Sequence, residues 1–186
     1  MHPMMDKFIH IIEENRLKAE DIEKVEVTPH CIGLNRAWKE NSLATEDDFK
    51  FHGPYLLACA AHRLKGIDYH NPGVRNDAKI REFINKVTIL PNPHEDFGLA
   101  ILKNGTARVH NVEVRAKGTI FKERIGGAKW SRSPEGRRPS NEELVEKFKE
   151  LVSGLLPSGR IDKATMGLLE LEKFENVNDL MVMFRP

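Results

Sequence analysis

Cysteine is scarce in this sequence, since only Cys31 and Cys59 occur among its 186 residues. Two cysteines at this separation match neither the spacing of a zinc site nor a disulfide framework. A reducing, cytoplasmic setting is therefore the expectation. Cys59 lies within an apolar stretch, which favours a buried and unreactive thiol over a reactive one.

Long apolar runs and an excess of one charge are also missing. No segment approaches the roughly 20 apolar residues of a membrane span, and residues 1–6 do not resemble the start of a secretory signal. The 29 basic and 28 acidic residues leave a formal net charge of +1. A nearly neutral chain has no general attraction to nucleic acid or to a membrane surface. The composition is that of a soluble globular protein.

Helical and strand patterns alternate through the first ninety residues. Residues 4–12 carry apolar side chains at helical spacing, which predicts a first helix that ends near Asn15. Val25 and Val27 alternate with polar neighbours, as in a half-buried strand. The other elements expected here are a helix over 55–65 that Pro54 opens and Gly66 caps, a loop over 71–73, a helix over 77–86 and a second strand that begins with Val87 and Ile89.

Alternating residues over 99–117 predict a β-hairpin. Asn104 and Gly105 lie between its two halves, and both residue types tolerate the positive φ of a tight turn. The apolar residues change parity along the second half, so we expect a bulge or a bend near His110 and Asn111. The basic stretch that follows, residues 118–139, is expected to be a long connection.

The C-terminal quarter predicts helices whose apolar faces the small sheet cannot cover. Residues 140–143 read S-N-E-E, which is a capping box, and helices are expected from 140, from 161 and from 176. We expect these helices to pack on a missing domain or on another chain. The fold class is α+β: a small, mainly antiparallel sheet with helices packed on one face, followed by C-terminal helices. The predicted domains are 1–138 and 139–186.

Three stretches occur in an order that points to one family. Residues 2–6 (HPMMD) begin a helix that leads to residues 20–27 (EDIEKVEV). Residues 53–60 (GPYLLACA) form an alanine-rich helix, and residues 139–148 (PSNEELVEKF) open the last helical region. Together they resemble the C-terminal portion of the MmgE/PrpD family, which includes 2-methylcitrate dehydratase, cis-aconitate decarboxylase and iminodisuccinate epimerase.

The resemblance implies a cofactor-independent lyase or isomerase that acts on small polycarboxylates. In this family the α+β part packs on a large helical domain, and the final helices belong to that helical domain. The family's helical domain lies before the point where this chain begins. We therefore expect a subunit of a split enzyme, a truncated gene product or a cloned fragment, inactive alone and completed by a helical-domain partner chain or as a homodimer. The alternative is a non-catalytic partner or a regulatory, small-ligand-binding dimeric module of the same fold.

Reactions of this class need a group that moves a proton beside a carboxylate, and groups that hold the substrate carboxylates. The resemblance places His2 near the active site and Tyr55 in the cleft between domains, so both are candidate catalytic residues. The plain alternatives are a solvated His2 and a Tyr55 whose ring packs at the start of its helix while its hydroxyl is solvated. Lys129 and Arg132, in the basic stretch, are candidates for substrate binding; a solvated charged loop is the alternative.

His62 follows Tyr55 by seven residues and shares nearly the same helical face. We interpret it as a structural histidine. The histidines at 52, 70, 94 and 110 are in loop-like or strand positions and form no cluster of ligand type, so we predict no metal.

Overall fold

A computed structural model of the chain describes residues 2–28, 46–90, 110–125 and 138–185. The chain divides into two compact units. We call residues 1–138 the α+β unit and residues 139–186 the helical unit.

The α+β unit is built on a four-stranded sheet within the described residues, in the order β2-β1-β3-β4. Strands β1 and β2 are parallel, whereas β1 pairs with β3 and β3 with β4 in antiparallel fashion. The strands are β1 (Ile22–Thr28), β2 (Val87–Ile89), β3 (His110–Ala116) and β4 (Thr119–Ile125). The helices of this unit are α1 (His2–Glu14), α2 (Glu46–Lys50), α3 (Gly53–Ala61), α4 (Pro72–Asn76) and α5 (Ala78–Ile84), with 3-10 turns at Ala19–Asp21 and Gly66–His70.

Helices α1 and α3 cover one face of this sheet. Val25 and Val27 of β1 are fully buried on that face, while Lys24 on the opposite face is exposed. Helix α1 contributes a stripe of buried residues, and complete burial of one such side chain stabilises the fold by about 1.5–3 kcal/mol. This confirms the predicted α+β class and the predicted first helix, whose buried residues are Met4, Phe8, Ile11 and Ile12.

Ion pairs fix α1 against the edge strand β4. The Lys7 Nζ lies 3.0 Å from one carboxylate oxygen of Glu123, and the His10 Nδ1 lies 3.1 Å from the other. Although partial burial opposes ionisation, Lys7 and His10 together hold the pKa of Glu123 below its ordinary value. The ionised carboxylate therefore stabilises the packing of α1 on the sheet.

We expect Glu123→Gln to lower the free energy of unfolding at pH 7 by up to about 1 kcal/mol. Because the folded pKa is lowered, this stabilisation is present above the unfolded glutamate pKa of about 4.3 and disappears as the pH falls through the folded value. Urea denaturation of both proteins across that range measures the difference. Glu113→Gln is the control, since Glu113 pairs with an exposed Lys122 on the other face of the sheet. An equal, pH-independent loss in both variants would contradict the prediction.

The connection predicted from residue 118 is wrong in its first part. Thr119–Ile125 is strand β4, which pairs with β3 along its whole length. Lys117 and Gly118 form the tight turn between them, with φ of 51° and 71°, and this pair of positive angles is typical of a two-residue hairpin. Edge strands commonly carry charged side chains that discourage aggregation, which is why the charges of β4 resembled those of a loop.

The end of helix α3 and the loop predicted over 71–73 also differ from the prediction. Helix α3 ends at Ala61, where Arg63 rather than Gly66 adopts the left-handed conformation. The predicted loop at residue 72 forms the short helix α4, with the Asn71 side chain accepting a hydrogen bond from Gly73 N. The Asn104-Gly105 hairpin lies outside the described residues. Over 110–116 the pairing of β3 with β4 is unbroken, so the bulge predicted near His110 is absent from that part.

The helical unit begins with the predicted capping box. Glu143 N donates to Ser140 Oγ at 3.3 Å, and Ser140 N donates to the Glu143 carboxylate at 3.0 Å. Both bonds satisfy backbone or side-chain groups at the start of α6. The helices of this unit are α6 (Asn141–Val152), α7 (Ser158–Leu169) and α8 (Val177–Met181), with 3-10 turns at Leu171–Lys173 and Val182–Phe184.

The helical unit has a small core of its own. Gly167 of α7 lies against Leu180 of α8, and a Cβ at Gly167 would come within 2.7 Å of the Leu180 Cδ1. Phe148 meets Phe184 edge to face at 6.0 Å. Helix α6 contributes no buried side chain. Many large apolar side chains of this unit are exposed: Leu144, Leu151, Leu155, Met166, Leu168, Leu169, Leu171, Val177, Met181 and Val182.

Candidate active site

The candidate site is built at the N-terminal end of α3. His52 is the N-cap residue, and its Nδ1 accepts a hydrogen bond from Tyr55 N at 3.1 Å. Pro54 occupies the first turn, where its missing N–H leaves no partner unsatisfied. Burial, together with the positive charge of Arg81, lowers the pKa of His52 below its ordinary value. The imidazole is therefore neutral near pH 7, and it fixes the first turn that carries Tyr55.

Tyr55 is completely buried at this position. Its hydroxyl donates a hydrogen bond of 2.8 Å to the Tyr69 carbonyl in the 3-10 turn, and its ring packs against Phe49 at 5.4 Å. Burial raises the pKa of the Tyr55 phenol well above its ordinary value, and the neighbouring Cys59 raises it further. Burial also raises the pKa of the Cys59 thiol to about 11. Both groups therefore keep their protons throughout the physiological range.

This environment limits what Tyr55 can do chemically. A protonated phenol can donate a hydrogen bond or a proton, but it cannot act as a base at neutral pH. The cleft-facing orientation expected for Tyr55 differs from the structure, in which the side chain is sealed beneath Phe49 and the turn that holds Tyr69. The catalytic role of Tyr55 remains a prediction.

Two arginines lie close to this end of α3, and sequence reasoning missed them. The Arg75 guanidinium stacks on the Phe49 ring at 5.3 Å, and Arg81 Nε donates to the Arg75 carbonyl at 2.8 Å. His70 also approaches the Phe49 ring, at 6.2 Å. The arginines belong to the short helices α4 and α5, and no sequence pattern distinguishes them from other charged residues. Their guanidinium groups are of the type that binds carboxylates.

The other predicted site residues are not brought to Tyr55 by the described part of the structure. His2 begins α1, but its side chain is outside what the structure describes. Lys129 and Arg132 lie outside the described residues altogether. Their roles remain predictions from the resemblance.

The structural role interpreted for His62 remains a prediction, and the contacts of this residue are as follows. It is the C-cap residue of α3, it is half-buried, and its ring meets Phe83 edge to face at 6.0 Å. It therefore lies at the opposite end of the helix from the first turn that holds Tyr55.

A cluster of possible metal ligands occurs elsewhere in the α+β unit. His10, Glu14 and Glu123 place one ligand atom each within 4.8 Å of one another. Lys7 already pairs with Glu123 in this cluster, and the histidine and Glu14 are exposed. We interpret the group as an ion-pair cluster that holds α1 on β4. The sequence shows only the four-residue spacing of His10 and Glu14, because Glu123 lies 113 positions from His10.

Fold and site together define a class of protein: an α+β domain in which a histidine caps the start of a buried helix, accompanied by a helical unit with many exposed apolar side chains. The chain matches the model of the MmgE/PrpD C-terminal domain over residues 1–171. It therefore belongs to the MmgE/PrpD family, as the sequence resemblance predicted. A search of the curated proteins gives no match.

The matched region is the family's C-terminal domain, which implies a partner N-terminal domain or chain. Among the helices of the described ranges, none combines the length and the apolar character needed to cross a bilayer.

Proposed function

We propose that this chain is the C-terminal part of a cofactor-independent MmgE/PrpD lyase or isomerase that resembles 2-methylcitrate dehydratase. In this proposal it acts in the cytoplasm on a small polycarboxylate, as part of an oligomer completed by a helical domain. The observation that carries the proposal is the family match, because it spans residues 1–171 and hence nearly the whole chain.

The surface of the helical unit supports the need for a partner. Leu155 is 68 % exposed and Val177 is 60 % exposed, and further apolar side chains of α6, α7 and α8 are exposed with them. Extended apolar surface of this kind is typical of sites that another protein covers. A helical domain is the partner that the family membership supplies.

In this proposal the site residues have different roles in the reaction. In a dehydration, a base removes a proton from the carbon beside a carboxylate, and an acid protonates the hydroxyl that departs as water. We assign the proton-donating role to Tyr55, whose phenol keeps its proton, and a proton-transferring or orienting role to His2. Lys129 and Arg132 would hold the substrate carboxylates.

Access to Tyr55 requires a local rearrangement. The Tyr55 hydroxyl now donates to the Tyr69 carbonyl, so a substrate must displace the 3-10 turn Gly66–His70 to reach it. In the proposal, docking of the helical domain displaces this short turn, which has no buried side chain. Movements of short loops commonly control access to an active site.

The buried hydroxyl is also the observation that favours the alternative function. A chain that keeps the fold but not the reaction has no need of an accessible phenol. In that case the chain is a non-catalytic partner, or a dimeric module that binds a small regulatory ligand.

An activity assay on purified components separates the two functions. The helical domain that belongs with this chain is expressed with it, and turnover of 2-methylcitrate and cis-aconitate is measured for the complex and for each part. We expect turnover from the complex and none from this chain alone. A stable complex without turnover of either substrate would favour the non-catalytic function, and a chain that forms no complex would contradict the proposal.

A further inference from the structure

Two helices of the α+β unit end in the same unusual way. At the end of α1, Leu17 N donates to the Ile12 carbonyl at 2.9 Å and Arg16 N to the Glu13 carbonyl at 3.1 Å. This is a Schellman motif, in which the residue in the left-handed conformation is usually glycine. Here it is Arg16, with φ of 51°.

The end of α3 repeats the motif. Leu64 N donates to the Cys59 carbonyl at 3.1 Å and Arg63 N to the Ala60 carbonyl at 3.0 Å, with Arg63 at φ of 57°. An L side chain in this region is strained relative to glycine. The strain at these two arginines indicates that their side chains have a role that glycine could not fill.

The Arg63 side chain has such a role, because it contacts the end of α1. Its Nη2 lies 3.1 Å from the Ile12 carbonyl and 3.5 Å from the Leu17 carbonyl, so it donates to the C-terminal end of α1. Its Nη1 lies 3.5 Å from a Glu13 carboxylate oxygen. Arg63 thus ties the two helix ends together and offsets the partial negative charge at the end of α1.

Arg16 has no comparable use within the described residues, where its guanidinium forms neither a hydrogen bond nor an ion pair. Residues 16–20 and 61–63 line a groove of about 360 Å³, which Arg16 and Arg63 share. Lys18 is a third basic residue on its wall, and Glu20 is the acidic one. The volume is within the range of small-molecule sites.

We propose that this groove binds a small anion that carries carboxylate or phosphate groups, with the Arg16 guanidinium as its main ligand. Two helix C-termini alone would repel an anion. Arg63 offsets that charge at the end of α1, and among the other lining side chains the basic Arg16 and Lys18 outnumber the acidic Glu20. A guanidinium offers two parallel donors to either kind of anion.

This site is distinct from the candidate active site. Tyr55 occupies the first turn of α3, whereas the groove lies beyond its last turn. The inference therefore does not depend on the proposed catalytic function, and a bound anion here would act as an effector or a structural ligand rather than as the reacting substrate.

Arg16→Gly tests the proposal with little risk to the fold. Glycine is the preferred residue at the left-handed position, so we expect the variant to unfold at the same or a higher temperature than the parent without anions. Loss of the guanidinium should weaken anion binding about tenfold or more, as expected when a charge-assisted hydrogen bond is removed. Arg115→Gln is the control, because it removes one exposed positive charge from the opposite face of the sheet.

The measurement is a titration of the full chain with inorganic phosphate and, separately, with citrate, at constant ionic strength. Binding is followed by amide chemical shifts and by the melting temperature. We expect shifts at residues 16–20 and 61–63 in the parent and in Arg115→Gln, and much weaker binding in Arg16→Gly. A response to phosphate alone identifies a phosphate ligand, and a response to citrate alone identifies a polycarboxylate. Equal titration of Arg16→Gly and parent, or no shift at these residues, would overturn the proposal.

Discussion

The double substitution Met166→Asp and Leu169→Asp is expected to weaken binding of the partner helical domain by more than 100-fold. The helical unit of this chain is expected to stay folded. These two side chains lie three positions apart on α7 and are 56 % and 44 % exposed, so they share one surface stripe. Replacing them removes little from the unit's own core. In a buried interface each aspartate would leave an unpaired carboxylate. A loss of about 1.4 kcal/mol or more in binding free energy at each position lowers the affinity about tenfold, so the two together lower it by about 100-fold or more.

Lys163→Asp is the matched control for this pair. Lys163 is an exposed residue of the same helix, three positions before Met166, so aspartate there adds negative charge and a similar helix-propensity penalty beside the stripe without removing its apolar surface. Isothermal titration with the helical domain measures all three proteins, and circular dichroism checks their folding. Unchanged affinity of the double variant would exclude this stripe from the interface.

Tyr55→Phe is expected to reduce kcat/KM of the completed enzyme by about 10²- to 10⁴-fold, which is the usual contribution of a general acid. The substitution keeps the ring that packs on Phe49 and removes only the hydroxyl. It also leaves the Tyr69 carbonyl without its donor, so we expect a loss of about 1–2 kcal/mol in the free energy of unfolding. Steady-state kinetics and urea denaturation measure the two effects separately.

Tyr69→Phe provides the comparison for this variant. It removes a phenol from the neighbouring turn but keeps the backbone carbonyl that accepts the Tyr55 hydrogen bond. The proposal therefore predicts that Tyr69→Phe retains far more activity than Tyr55→Phe. If Tyr55→Phe lost stability but retained full activity in the complex, the hydroxyl would have a structural role only.

Local chemistry was sufficient to predict several elements of the fold. The apolar stripe of α1 requires only the 3.6-residue period, and the capping box at Ser140 requires only two residues three positions apart. Both depend on neighbours in sequence, and both are present. The family motifs were equally local, and the match over residues 1–171 confirms what they indicated.

Strand β4 could not be predicted from its own residues. Its charged residues 122–124 resemble a solvated segment in the sequence. In the structure, Glu123 pairs with Lys7 and His10 on α1. These partners lie more than a hundred positions away in the sequence. The signal available in the sequence was Gly118 after Lys117, because glycine readily adopts the positive φ that a two-residue hairpin turn requires.

The candidate site shows the same division between local and distant causes. The position of Tyr55 in the first turn of α3 follows from Pro54 and the His52 cap, which are adjacent in sequence. Its burial depends on Phe49 and on the carbonyl of Tyr69, fourteen positions downstream. Sequence patterns place a residue on an element, whereas the packing of separate elements decides whether solvent reaches it.

The central claim is that the exposed apolar surface of the helical unit forms an interface with a helical domain. Sedimentation velocity of the purified chain, with and without that helical domain, tests it most directly. We predict one faster-sedimenting species that contains both components, accompanied by slower amide hydrogen exchange over residues 139–185. Two independently sedimenting species at micromolar concentration, with exchange over those residues unchanged, would contradict the account.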